Sequence, residues 1–269
     1  MTDIAHREDK WSAGDAYEPY VGRWSRLVAA HFLDWLAFPA EARWLDVGCG
    51  TGALSETVLD RAAPRQIVGI DPSEAFLDFA RSRLSDPRVA FRAGDVQTLP
   101  LEDEAFGVAV AGLVLNFVAD PAKALCEMRR VVRPGGTVAV YVWDYAGEMQ
   151  LMRRFWEAAA ALDPAARELD EGRRFPICKP EPLRALFAEA GLGDIQDCAI
   201  DVPTVFRDFD DYWSPFLGGQ GPAPGYCVSL SEAKRQSLQE KLRAELPAAP
   251  DGSIRLTARA FAVRGVRPA

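Results

Sequence analysis

Between residues 42 and 143, short apolar runs alternate with stretches of helical spacing, and this constrains the possible folds more than any other feature. Trp44-Leu45-Asp46-Val47, Gln66-Ile67-Val68-Gly69-Ile70, Arg88-Val89-Ala90-Phe91-Arg92, Gly107 through Leu115 and Thr137 through Trp143 have the length and residue types of strands. The fourth is apolar enough to be buried on both faces. Ala53 to Ala62 reads as a helix, as does a segment opened by Pro72 and Ser73, with Ser73 its N-cap and Phe76, Leu77, Ala80 and Leu84 at helical spacing. Asp120-Pro121 starts another, cap then proline; it carries Leu125, Met128 and Val132 inward and stops at Arg133-Pro134-Gly135-Gly136. Strand–helix units with short connections imply a parallel sheet with helices on both faces.

Outside this region the pattern is looser. Residues 23 to 37 form an amphipathic helix with Trp24, Leu27, Val28, His31, Trp35 and Leu36 on one face, so His31 is expected to be packed rather than catalytic. Glu181 to Ala190 reads as a helix ending at Gly191, Ile195 to Val202 as a strand, Ser231 to Leu246 as a helix and Ser253 to Val266 as a long final strand. Residues 204 to 228 hold six aromatics (Phe206, Phe209, Tyr212, Trp213, Phe216 and Tyr226) among glycines and prolines.

Composition narrows the function classes. With 31 basic and 39 acidic side chains the net charge is −8, against a nucleic-acid partner, since polyanion binding draws on clustered Lys and Arg. No apolar run reaches the roughly 18 residues of a membrane span. Residues 1 to 10 carry both signs of charge and do not read as a secretory signal, so a cytoplasmic protein is expected. The five cysteines lie far apart and the only histidines are His6 and His31, so no metal is expected.

The loop Leu45-Asp46-Val47-Gly48-Cys49-Gly50-Thr51-Gly52 joins the first strand to the first helix after it. Its glycines allow a tight turn and let a ligand approach bare backbone at a helix N-terminus. Gly48-x-Gly50-x-x-Ala53, with Asp71 further on, also satisfies a dinucleotide fingerprint, so a nicotinamide or flavin enzyme passes this test.

A wider pattern separates the two. Asp46-Val47-Gly48-Cys49-Gly50-Thr51-Gly52, Gly69-Ile70-Asp71-Pro72-Ser73, Gly94-Asp95-Val96-Gln97-Thr98-Leu99-Pro100 and Val132-Arg133-Pro134-Gly135-Gly136, in that order, resemble the class I S-adenosylmethionine (SAM) dependent methyltransferases. The resemblance is to the type 11, ubiquinone/menaquinone-type small-molecule group, and it covers residues 42 to 143. It implies one α/β domain with a Rossmann-like, seven-stranded, mostly parallel sheet whose last two strands, near 195–202 and 254–266, form an antiparallel edge pair. Residues 1–40 would be an N-terminal helical segment covering the cofactor and 41–144 the SAM-binding core. Residues 145–269 would supply an aromatic cap insertion and the final strands.

SAM offers a ribose diol, an adenine edge, an amino-acid end and a sulfonium, and needs no phosphate cradle. Asp71, with Pro72 beside it, can accept both ribose hydroxyls. The resemblance gives Asp95 the adenine amino group and the Val96 backbone the ring. Gly48 and Gly50 would admit the amino-acid end, while Asp46 orders the loop or reaches the ammonium through water, which the Leu113 region would also meet. Upstream, Arg23 would pair with the carboxylate and Tyr20, within Tyr17 to Trp24, would cover the sulfonium. Structural alternatives stand beside these: a capped turn at Asp71-Pro72-Ser73, a turn residue at Asp95, a loop brace at Asp46, and core packing at Tyr20 and Trp24 with Arg23 solvated. Cys49 is a small filler.

No catalytic residue is marked. Asn116, Asp144 and Tyr145 follow strand ends, where ligands bind in such sheets, and any of them could orient an acceptor. Arg173, Arg174 and Lys179 would meet an anionic acceptor or remain solvated. The expected function is methyl transfer from SAM to a small, apolar or aromatic metabolite beneath the aromatic segment, by a monomer or homodimer. The alternatives are a nicotinamide-dependent oxidoreductase and a non-catalytic SAM-binding module.

Overall fold

A computed structural model describes residues 18–38, 40–219 and 221–269; His6, Tyr17 and the opening ten residues lie outside them. In chain order the elements are α1 (Arg23–Leu36), β1 (Arg43–Val47), α2 (Ala53–Arg61), β2 (Gln66–Asp71), α3 (Glu74–Arg83), β3 (Val89–Ala93), β4 (Phe106–Gly112), α4 (Pro121–Val131) and β5 (Val132–Trp143). There follow α5 (Gln150–Leu162), α6 (Glu171–Arg174), α7 (Pro180–Glu189), β6 (Gly193–Phe206), α8 (Phe209–Trp213), α9 (Pro222–Ser229), α10 (Glu232–Glu245) and β7 (Ile254–Val266).

The seven strands form one sheet in the order β3-β2-β1-β4-β5-β7-β6. β1 pairs in parallel with β2 and β4, β2 with β3, and β4 with β5. β7 runs antiparallel to β5, with Thr137 opposite Val266 and Trp143 opposite Ala260, and β6 completes the antiparallel edge. The order reverses between β1 and β4, the switch point at which an open α/β sheet leaves a crevice beyond its strand ends. β4 is buried along almost its whole length, as a strand covered on both faces must be.

Local chemistry sets the helix ends. The Ser73 hydroxyl caps α3 by accepting from Phe76 N (3.4 Å), and Asp120 caps α4 by accepting from Lys123 N (2.9 Å). At the other end of α4, Arg267 Nη1 donates to the carbonyls of Arg130 (2.9 Å) and Val132 (2.7 Å), and its Nη2 to Glu104 (2.8 Å). These bonds satisfy carbonyls that helix termination leaves open.

Several sequence expectations shift. His31 is exposed, because the buried stripe of α1 runs through Trp24, Val28, Phe32, Leu33 and Leu36 and leaves Leu27 and His31 outside. β5 begins at Val132, ahead of Thr137, because Val132 already pairs with Phe106 before the register shifts at Val108. β6 extends to Phe206, its buried Thr204 and Phe206 continuing the alternation past Pro203.

The chain divides into two compact units. The described part of the larger comprises residues 25–38, 40–143, 177–200 and 260–269; that of the smaller comprises 18–24, 144–176, 201–219 and 221–259. The smaller unit has an aromatic core. Phe155 stacks on Phe216 with ring centroids 4.4 Å apart, Tyr20 meets Phe216 edge-on at 5.7 Å, and Trp156 lies 5.2 Å from Phe155 and 5.4 Å from Tyr226. Among the described residues no helix is long and apolar enough to cross a membrane, and no three His, Cys, Asp or Glu side chains are grouped to hold a metal ion.

Candidate functional site

The carboxyl end of β2 delivers Asp71 to the mouth of the crevice in the larger unit. Asp71 is 7% exposed. Gly50 N donates to its Oδ2 and Ser73 N to its Oδ1, both at 2.9 Å, so its position is fixed from the β1–α2 loop and from the start of α3. Burial pushes its carboxyl above the ordinary carboxylate range, while the two backbone N–H groups pull it back. Each oxygen retains a lone pair beyond those bonds.

The loop facing Asp71 is shaped by its glycines. Gly48 and Cys49 both donate to the Ile70 carbonyl (2.7 and 3.0 Å), which folds the loop back over β2. Gly48 has φ +70°, and a Cβ there would sit 2.5 Å from Val114 Cγ1, so packing as well as conformation requires glycine. Gly50 has φ +50°, and no atom lies within 4 Å of where its Cβ would be. That space is open to a ligand approaching the backbone.

Asp46, one residue before the end of β1, is buried and accepts from Ser55 Oγ of α2 through Oδ2 (2.7 Å). Its Oδ1 has no partner, and burial pushes its carboxyl up to about 7. Beyond β4, Leu113 adopts φ +64°, a conformation that is strained for a residue with a Cβ, and is held by its N–H to Tyr141 O (2.8 Å). Asn116 follows in a short 3-10 turn, buried, with neither atom of its carboxamide paired. Asp95 is exposed and its Oδ1 accepts from Gln97 N (2.8 Å), while Val96 beside it is buried and Pro72 is exposed.

Two buried acids and bare backbone line this crevice, and no basic side chain occurs between Asp46 and Ala53. Such a donor set suits a diol and a cation. A pyrophosphate would bring its own negative charge toward Asp46 and Asp71.

A methyltransferase domain model matches residues 45–140. A demethylmenaquinone methyltransferase from Roseiflexus castenholzii is 32% identical over 171 residues, 58% of this chain and 70% of that protein. This chain belongs to the class I methyltransferases. The fold neighbours of this methyltransferase-family chain include the YcgJ protein of Bacillus subtilis (TM-score 0.60, 16% identity, 90% of this chain and 99% of that one). They also include Haemonchus contortus phosphoethanolamine N-methyltransferase 2 in complex with SAM (TM-score 0.58, 17% identity, 95% and 56%). The alignments with the first curated relatives span only 30% to 45% of those proteins' length.

The methyltransferase unit thus brings together Asp46, Gly48, Gly50, Asp71, Pro72, Asp95, Val96, Leu113 and Asn116. Tyr20 and Arg23 lie in the smaller unit, as do Asp144 and Tyr145. Arg23 pairs with Asp211 Oδ1 (3.0 Å) and lies over the Trp24 and Phe206 rings at 4.4 and 4.9 Å. Tyr20 is buried with its hydroxyl unpaired. Asp144 Oδ2 accepts from Glu148 N (2.9 Å). Arg173 and Lys179 are exposed. Sequence reasoning missed Glu171, whose buried carboxyl accepts from the Trp156 indole N–H, because it sits in a charged run with no apolar signal around it.

Proposed function

We propose that this chain transfers a methyl group from SAM to a small, apolar or aromatic molecule. The observation carrying this reading is the Asp71 carboxylate, held by one backbone N–H on each oxygen and retaining lone pairs for two ribose hydroxyls. The residues present fit SAM. Asp46 Oδ1 is an unpartnered buried acceptor in the same loop region, suited to a water-bridged ammonium, and Gly50 leaves room for the amino-acid end. Leu113 and the Val96 backbone would meet the amino-acid end and the adenine ring, with Asp95 toward the adenine amino group. Tyr20 and Arg23 belong to the smaller unit, Tyr20 buried and Arg23 paired with Asp211. When bound, the cofactor supplies a methyl group already activated by a positively charged sulfur. The protein has to position the acceptor and exclude water. In the smaller unit, the rings of residues 206–216 pack into an apolar core, which favours an apolar or aromatic acceptor beside it.

Calorimetric titration with SAM, S-adenosylhomocysteine and NAD tests the reading. SAM and S-adenosylhomocysteine should bind and NAD should not; NAD binding with neither of the others would overturn it. Binding of S-adenosylhomocysteine without methyl transfer to any of a broad acceptor panel would leave a SAM-binding module instead.

A further inference from the structure

A cleft opens in the smaller unit where three helices each present one face. The end of α5 contributes Ala159, Leu162 and Asp163, the end of α9 Tyr226 and Leu230, and α10 Lys234, Ser237 and Leu238. Within each group the positions follow helical spacing, so each helix turns a single stripe to the cleft. Its volume is about 170 Å³. Ala159 and Leu238, both 1% exposed, form its floor; Tyr226 and Leu230 are half-buried, and Leu162 is 50% exposed at the rim.

The walls are held in place. The Tyr226 ring lies 5.4 Å from Trp156 and 6.2 Å, edge-on, from Phe155, which anchors it in the aromatic core. Arg235 Nη2 donates to the Leu230 carbonyl (3.1 Å), and the Ser231 hydroxyl caps α10 by accepting from Lys234 N (3.4 Å), so the end of α9 is tied to the start of α10. The polar rim is less complete. Asp163 Oδ2 and Lys234 Nζ are 3.8 Å apart, beyond hydrogen-bond reach. Asp163 Oδ1 accepts from Ala165 N (3.1 Å), and among the described residues nothing donates to Oδ2. Ser237 Oγ is turned back to the Ala233 carbonyl (3.1 Å).

Size and charge together define an occupant. A cavity of about 150 Å³ walled by apolar side chains takes a benzene ring, so this cleft admits one ring. The two rim charges oppose each other: a ligand carboxylate would meet Asp163, and an ammonium would meet Lys234. A hydroxyl, which donates and accepts on one atom, suits the gap between them. We propose that this cleft binds a neutral single-ring phenol. The ring lies among Leu162, Tyr226, Leu230 and Leu238, the O–H donates to Asp163 Oδ2, and the oxygen accepts from Lys234 Nζ. The site belongs to the smaller unit alone and does not rest on the methyl-transfer reading.

Fluorine NMR titration of the full chain with 4-fluorophenol, fluorobenzene and 4-fluorobenzoate tests the site. The 4-fluorophenol shift should saturate, with an affinity roughly fivefold above that of fluorobenzene, and 4-fluorobenzoate should bind most weakly of the three. Asp163→Asn keeps a capping side chain while removing the negative charge. It should cut the preference for the phenol over fluorobenzene to roughly twofold and raise 4-fluorobenzoate affinity roughly fivefold. Ser237→Trp, at an exposed position of α10, should fill the cleft and weaken 4-fluorophenol roughly tenfold. A 4-fluorophenol shift that never saturates, or equal affinity for the phenol and fluorobenzene, would overturn the site. So would undiminished binding in Ser237→Trp, or an unchanged preference and benzoate affinity in Asp163→Asn.

Discussion

Replacing Asp71 with Asn tests the cofactor assignment at the point where geometry sets the size of the effect. The native carboxylate accepts Gly50 N and Ser73 N at 2.9 Å each and has capacity for a diol besides. An amide has one oxygen, so whichever way it turns, its NH2 faces one of those two donors. The diol then loses at least one charge-assisted bond, and the remaining one is to a neutral group on a displaced side chain. At about 1.5–3 kcal/mol for a hydrogen bond to a charged group, a loss near 3 kcal/mol is expected, roughly 150-fold in dissociation constant. Stability should change less, by about 1–2 kcal/mol, because removing the charge also relieves the burial penalty that raises this carboxyl. Calorimetry with S-adenosylhomocysteine, which requires no turnover, measures the first quantity, and urea unfolding the second. An affinity within threefold of the native value in a folded Asp71→Asn protein would refute the ribose role.

The two loop glycines should behave differently. Gly48→Ala should cost about 2–3 kcal/mol of stability through its clash with Val114 and its positive φ. Gly50→Ala should cost about 1 kcal/mol yet weaken S-adenosylhomocysteine at least tenfold, since its Cβ enters open space. Normal binding by Gly50→Ala would mean that no ligand approaches there. Asp46 gives a pH dependence with a definite sign. With its carboxyl near 7 in the fold and 3.8 as the reference, the folded state holds the extra proton between those values, so stability falls as pH rises from about 4 to about 7. Glu171, also raised to about 7, and Asp71, raised as well, add slopes of the same sign, so Asp46→Asn should make the urea midpoint fall less steeply with pH between about 4 and about 7; an unchanged slope would count against a buried, protonating Asp46. Arg267→Ala should destabilise by about 2 kcal/mol, because it removes the bonds of Arg267 to the Val132 carbonyl and the Glu104 carboxylate and leaves the Arg130 carbonyl with the Glu104 N–H alone. A loss under 0.5 kcal/mol, on the scale of an ordinary surface change, would show these bonds to be replaced by water at little cost.

The larger unit was legible because its elements are determined locally. Ser73 and Asp120 announce the starts of α3 and α4 by side chains that bond within three residues, and the short apolar strands admit few alternatives. The start of β5 was hidden because Pro134 and Gly135 read as a break, whereas Val132 is held by its neighbour Phe106. The face of α1 was misjudged by about one position, since Leu27 and His31 share helical spacing with Trp24 but the core selects Phe32 and Leu33. α5 could have been found from Leu151, Met152, Phe155, Trp156 and Ala159, which recur at helical spacing. Glu171 could not, because its burial comes with tertiary packing against Trp156 of α5, which no pattern in the residues around it announces.

The thiols have a practical consequence. Cys49, Cys178 and Cys227 are buried, and Cys198 is half-buried with its thiol pushed up to about 11, which leaves Cys126 on α4 as the one exposed sulfur. Since only a solvent-accessible thiolate attacks an electrophile readily, a maleimide dye should attach at this one place in the native protein. The chain therefore comes with a built-in handle for tethering or for distance spectroscopy, with no cysteine to add or remove.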